Sequence, residues 1–179
     1  MRLITMTAGL WMAAATAIMA APTDVRAQDA ASLPRTATAT IYRSLNAVDL
    51  NAVLGLRGYM TVAKEDETSF MIMTSSGFRF RAVLMACEVE GQPAGCLGLN
   101  LRAMWGMEPD DEPIIGPVVS DFNSRFRIGK ALIVEDAVYL ERYVITDGGV
   151  TLDHIGQELV EFLGSADVLQ TNMNEALKE

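Results

Sequence analysis

Two stretches of alternating apolar residues constrain the fold most: residues 77–87 and 96–105, which end and begin at the chain's two cysteines. Alternation with a period of two is typical of strands with one buried face. When Cys87 is placed opposite Cys96 in an antiparallel pair, the apolar faces of both stretches coincide. A shift by one residue would place apolar side chains opposite polar ones. The predicted cross-strand pairs are Ala86–Leu97, Leu84–Leu99, Ala82–Leu101, Phe80–Ala103 and Phe78–Trp105.

This register predicts a disulfide between Cys87 and Cys96, closing a loop, residues 88–95, that contains turn-forming Gly and Pro. A zinc site is one alternative, but the two Cys lack the short spacing of a zinc knuckle and the only His, His154, lies far along the chain. A redox-active pair is a second alternative, and such pairs are usually closer in sequence. We therefore favour a structural disulfide and expect no metal and no cofactor.

The N-terminus carries the pattern of an export signal. An uncharged run, residues 3–22, precedes Val25 and Ala27, the small residues that a signal peptidase reads. We predict a signal peptide over residues 1–27, a flexible leader over 28–39 and a folded domain over 40–179. The alternative is a membrane anchor, since the run just reaches spanning length. Its Ala- and Thr-rich composition favours cleavage, and with it a periplasmic location and no membrane contact after cleavage.

The charge balance is acidic: 14 basic and 23 acidic residues give a formal net charge of −9. Such a field repels phosphate backbones, and no Lys/Arg-rich cluster offsets it, so we expect no nucleic-acid partner. The acidic run at residues 110–112 could hold calcium, but no spaced ligand pattern surrounds it, and a solvated loop is the expected structure.

The remaining pattern predicts an α+β fold, an antiparallel β-sheet with flanking helices in the order (β)αββββαββα. Asn46 has the residue type of an N-cap for a first helix that Gly58 ends. A second helix is expected to begin at Gly116 with Pro117 in its first turn, and Thr151 to cap the last. Strands are predicted at residues 59–64, 68–74, 77–87, 96–105, 130–134 and 138–145, with a short first strand at 40–44.

Four groups of residues resemble the YbjN family of candidate bacterial sensory-transduction regulators. They are Leu-Gly-Leu-Arg-Gly-Tyr at 54–59, the two cysteines, Phe-Asn-Ser-Arg-Phe-Arg-Ile-Gly-Lys-Ala at 122–131, and Asp-Gly-Gly-Val-Thr at 147–151. The family is similar in fold to class I type III secretion chaperones, α+β proteins that commonly dimerise and hold extended segments of partner chains. The resemblance therefore implies a protein partner and a possible homodimer, and it carries over no catalytic residue.

Two surfaces are candidates for binding a partner. The first is the strand face that bears Arg79, Arg81 and Arg102, because the register places Arg81 opposite Arg102. Like charges across a strand pair are unfavourable unless acidic groups compensate, and those groups belong either to a partner or to neighbouring Glu and Asp. The second is the polar side of the second helix. The alternative for the Asn on this side is a structural role, in which it braces a neighbouring strand. The residues of this second surface are Asn123, Arg125 and Arg127.

Three classes of function remain. We expect a non-catalytic, periplasmic protein-binding or chaperone-like regulatory module, because the sequence lacks a recognisable set of nucleophile, base and orienting group. The first alternative is a small hydrolase that uses His154 with Asp153 or Asp147. His154 has no recognisable partner motif, so a surface or capping role is expected for it. The second alternative is a structural envelope protein.

Overall fold

The computed structural model describes residues 39–178. The predicted signal peptide and nearly all of the predicted leader lie outside these residues. The elements run α1 (Ala47–Leu56), β1 (Met60–Lys64), β2 (Ser69–Met73), β3 (Arg79–Cys87), β4 (Cys96–Gly106), a 3₁₀ turn (Pro109–Asp111), α2 (Glu112–Arg125), β5 (Lys130–Val134), β6 (Ala137–Ile145) and α3 (Leu152–Ala176). None of the helices within this part of the chain combines the length and the apolar character that a membrane crossing requires.

The six strands form one antiparallel sheet in the order β1-β2-β3-β4-β6-β5, which confirms the predicted α+β class. One face carries the buried side chains, among them Phe80, Leu101 and Leu140, which form a single core with buried residues of the three helices. Phe162 of α3 lies in this core, its ring 5.5 Å from that of Phe80. The opposite face of the sheet is open, and most of its side chains are half-buried or exposed.

The predicted hairpin is confirmed in its register. Cys87 lies opposite Cys96 and is joined to it by a disulfide, and Leu84 faces Leu99 as expected. The expected inward position of Ala86 is wrong, because this residue is exposed. Its φ of 52° departs from extended backbone, so the strict alternation of sides ends one residue before the disulfide.

The N-terminal segment and the first helix differ in how well the sequence predicted them. The expected strand at 40–44 is instead represented by two isolated bridges, Tyr42 with Val150 and Leu45 with Cys96. The segment therefore lacks a ladder, although it is tied to the hairpin. Helix α1 is confirmed, because the Asn46 side chain accepts from the amides of Val48 and Asp49 and completes a capping box.

The predicted start of the second helix is wrong. Helix α2 begins at Glu112 rather than Gly116, with Pro113 in its first turn and Pro117 in its interior. Pro113 takes the N-terminal position where a missing amide costs little, so the helix begins one turn earlier than expected. The acidic run at 110–112 therefore forms the 3₁₀ turn and the helix start rather than a plain loop. Its carboxylates lie at the positive end of the helix dipole.

Candidate binding face

A row of side chains crosses the open face of the sheet, one from each strand. The register pairs join these residues in the order Lys130, Glu141, Arg102, Arg81, Met71 and Ala63. Such rows form because a strand turns every second side chain to the same side. The centre of the open face is therefore charged and the two residues toward β1 are apolar. We call this set the central row.

The two arginines at the centre of the row have different carboxylate partners. Arg81 donates to Glu65, in the turn between β1 and β2, at 2.8 Å. Arg102 pairs with Glu141 of β6, its direct neighbour across the ladder. All four side chains keep between 27% and 40% of their surface exposed, so solvent screens both pairs. Neighbouring acidic residues thus supply the compensation that this like-charged pair requires.

Arg79 completes the cationic cluster on this face. It follows the same side of β3 as Arg81, is exposed, and has no carboxylate partner among residues 39–178. Arg102 lies over the ring of Tyr139, with its guanidinium carbon 5.6 Å from the ring centre. The three arginines, Met71, Met104 and Tyr139 contribute to the lining of a depression of about 190 Å³. The structure therefore brings the three predicted arginines together.

The hydrogen bonding of this cluster is incomplete. The Nε atoms of Arg81 and Arg102 are buried without an acceptor, and so is the Oδ1 atom of Asn100 without a donor. Asn100 lies two residues from Arg102 on the same side of β4, and faces Tyr143 across the ladder. Buried polar groups are usually paired, so these three atoms mark the open face as the least satisfied polar region within the described chain.

Apolar side chains flank the central row. Met104 of β4 is opposite Tyr139 of β6 and is 61% exposed, while Met60 of β1 is 55% exposed and faces Met73 of β2. Methionine is flexible and polarisable, and it is over-represented on surfaces that bind varied partners. Sequence reasoning identified the arginines and put Met104 on their side of the hairpin, but it did not place Met71 or Tyr139 beside them. The alternating pattern of β6 was the available signal for Tyr139. It could be used only once β6 was known to pair with β4.

In the second predicted surface, Asn123 has a structural role. The Asn123 amide donates to the carbonyl of Ala131 and accepts from the Ala131 amide, both at 2.9 Å. Its side chain therefore braces β5, one of the two edge strands. Arg125 pairs with Asp121 one turn earlier on α2, and Arg127 is exposed with no carboxylate partner in the described chain. Binding of a partner by these three residues stays a prediction.

His154 lies at the start of α3, where its backbone amide donates to the cap Thr151. Its Nε2 atom is 3.5 Å from Glu158, whose carboxylate also pairs with Arg142. Asp153 pairs with Arg57 at 3.6 Å instead. Within residues 39–178, no hydrogen bond joins His154 to Asp153 or to Asp147, so the geometry of a catalytic dyad is not assembled.

A metal site and a ligand groove are two further possibilities in the described part of the chain. In the part of the chain that the structure describes, no group of three or more His, Cys, Asp or Glu lies close enough to hold a metal ion. A broad groove of about 550 Å³ lies between the β2–β3 turn and α3, and sequence reasoning missed it. It is lined by Tyr59, the turn residues 74–78, Leu163, Ala166, Asp167 and Gln170.

The chain matches no protein-family model. No curated protein matches its sequence. Its fold, however, is similar to two solved structures. One is that of YbjN from E. coli, described as a candidate transcription regulator, with 13% identity, a TM-score of 0.58, and 76% of this chain and 96% of that chain covered. The other is an uncharacterised protein from Methanothermobacter thermautotrophicus, with 11% identity, a TM-score of 0.51, and 73% and 98% covered.

These likenesses confirm the resemblance that the sequence indicated, at the level of the fold. The protein has a YbjN-like fold, and similarity to type III secretion chaperones enters only through it.

Proposed function

We propose that this chain, which has a YbjN-like fold, is an exported, non-catalytic module that binds a protein partner in the periplasm and acts there as a chaperone-like or regulatory component. The observation that carries the proposal is the open face of the sheet. Helices pack on one face only, while the other keeps a cationic cluster and exposed methionines at its centre. Exposed apolar groups beside charged ones are typical of interaction sites.

Export is supported by two features that are independent of each other. The N-terminal residues have the composition of a cleaved signal, and the Cys87–Cys96 disulfide belongs to a class of bond that persists in oxidising compartments. Fractionation of cells followed by mass measurement tests this. We expect a periplasmic protein that begins at Gln28 and lacks free thiols. An intact N-terminus in the membrane fraction would instead support the anchor.

A non-catalytic role is supported by the surroundings of His154. Its neighbour Glu158 is engaged by Arg142, and the carboxylate next to it in sequence, Asp153, pairs with Arg57. Screening of hydrolase substrates with His154→Ala as the control tests the rival function. We expect no activity in either protein. Activity that is lost in the variant would establish a hydrolase.

Photo-crosslinking in the periplasm tests the binding function. A photoreactive amino acid replaces Met104, which is exposed on the open face, and in a matched variant it replaces Gln157, which is exposed on α3. We expect position 104 to give one defined protein adduct, identified by mass spectrometry, and position 157 to give none. Absence of any specific adduct at either position would favour a structural envelope protein. An adduct of the chain with itself would reveal a homodimer through that surface.

A further inference from the structure

We infer that the occupant of the open face is a protein segment in which acidic and apolar residues are close together, with its carboxylates at Arg79, Arg81 and Arg102. This inference rests on the proposed function and adds the chemistry of the partner.

The open face is positively charged around the central row, whereas the chain as a whole is negatively charged. The formal net charge is −9, yet the cations Arg79, Arg81, Arg102 and Lys130 outnumber the carboxylates Glu65 and Glu141 around the central row. Like charges directly across a ladder are destabilising, and the chain compensates Arg81 and Arg102 only through partly solvated pairs with Glu65 and Glu141. An acidic ligand makes that arrangement favourable, since arginine binds carboxylates through two parallel hydrogen bonds.

The arginines retain donors for such a ligand. Arg79 is exposed and has no carboxylate partner within residues 39–178. Arg81 and Arg102 each have one carboxylate partner, and a guanidinium has five N–H donors. Their Nε atoms also lack an acceptor but are buried, so the donors open to a ligand are the terminal N–H groups that Glu65 and Glu141 do not use. A carboxylate that approaches from the solvent side would therefore meet three cations with unused donors.

The size of the depression favours a peptide over a cofactor. Its volume is about 190 Å³, whereas pockets for drug-sized molecules are commonly about 300–1,000 Å³. Its lining combines the arginines with Met71, Met104 and Tyr139, so it can receive an apolar side chain next to an acidic one. Exposed Met60, Ile145 and Val134 extend the apolar surface beyond it, which suits a chain segment that crosses several strands.

A second copy of the same face does not fit. A twofold axis through the Arg81–Arg102 pair would bring four guanidinium groups together, because a symmetric interface places the same patch on both sides. An anionic membrane surface is a second rival, and the acidic chain as a whole would be repelled by it. A short acidic protein segment avoids the first obstacle, and it meets less of the second than a membrane surface does, because charges more than about 10 Å away are largely screened by salt.

The test uses three fluorescent peptides of about ten residues, roughly the length of a long strand. All three have Leu at alternate positions and carry Glu, Gln or Lys between them. Fluorescence anisotropy measures their dissociation constants with the exported protein. We expect the Glu peptide to bind at least about tenfold more tightly than the Gln peptide, as for loss of a charge-assisted hydrogen bond, and the Lys peptide not to bind.

Arg79→Gln should weaken binding of the Glu peptide at least about fivefold, whereas the matched variant Arg43→Gln, at an exposed position outside the sheet, should leave it unchanged. Equal binding of the Glu and Gln peptides, binding of the Lys peptide, or no effect of Arg79→Gln would overturn the inference. The inference would also be overturned if the protein bound vesicles of anionic lipid and did not bind the Glu peptide. If position 104 still gives a defined partner while the Glu peptide fails, the proposed function stands and only the chemistry of its partner is wrong.

Discussion

Arg81 of β3 lies directly opposite Arg102 of β4, and each guanidinium pairs with a different carboxylate, Glu65 from a turn and Glu141 from the next strand. These two ion pairs add little to the stability of the fold, because both are partly solvated. The arrangement is tolerable only while the carboxylates remain in place. The open face therefore gives up some stability at the point where we infer that an acidic segment binds.

Replacement of Arg81 by Leu should separate stability from binding. Removal of one of the two facing charges relieves repulsion, and Glu65 is free to hydrate, so we expect the free energy of unfolding to stay level or rise by up to about 0.5 kcal/mol. Urea denaturation measures this change, and peptide anisotropy should show weaker binding by the same variant. A loss of more than about 1 kcal/mol would mean that the Arg81–Glu65 pair stabilises the fold, contrary to this account.

The disulfide should contribute mainly to stability. Cys87 and Cys96 are nine positions apart, and closing so short a loop is worth about 2–3 kcal/mol in the chain-entropy model. The double variant Cys87→Ala, Cys96→Ala should unfold at lower urea concentration with a similar slope. Wild type kept in a reductant is the control and should match the variant. If oxidised and reduced wild type unfold together, the bond has no such stabilising effect.

Asn123 should protect the edge of the sheet. Its amide fills both backbone groups of Ala131 on the edge strand β5, so Asn123→Leu leaves an unpaired donor and acceptor there. We expect a loss of about 1–2 kcal/mol in urea denaturation and concentration-dependent association in sedimentation velocity, because an open edge can pair with another chain. Ser120→Ala, at an exposed position of the same helix, should change neither measurement. An unaltered Asn123→Leu protein would assign the residue to a partner surface instead.

Asp66 should give the turn between β1 and β2 a dependence on acid. The backbone amide of Thr68 lowers the pKa of Asp66 below its usual 3.8, with help from the Thr68 hydroxyl and from Ser69. A lowered pKa in the folded state adds stability that is present above 3.8 and is lost as the pH falls through the folded value. The Asp66 carboxyl resonance should therefore titrate below 3.8, whereas Thr68→Val should move the midpoint partway back. A midpoint at or above 3.8 in wild type would disprove the assignment.

The hairpin and the second helix show where sequence reasoning succeeds and where it stops. The facing of Leu84 and Leu99 was predictable, because burial of one face admits a single register. The start of α2 was not, because both Pro113 and Pro117 suit a first turn and only packing of the helix chooses between them. The pair of hydrogen bonds between Asn123 and Ala131 joins residues on different elements. The residue types predict only that Asn tends to bond to nearby backbone, and not which strand it contacts.

Local pattern alone determined the six strands of the sheet, the Asn46 and Thr151 caps, the cysteine pair and the presence of three arginines on one side of a hairpin, since each depends on spacing within a short segment. The order of the strands decided the rest. It placed Glu141 beside Arg102, Tyr139 beside Met104 and Lys130 at the end of the central row. These neighbours come from strands far apart in the chain, and only the return of β6 to the side of β4 brings them together.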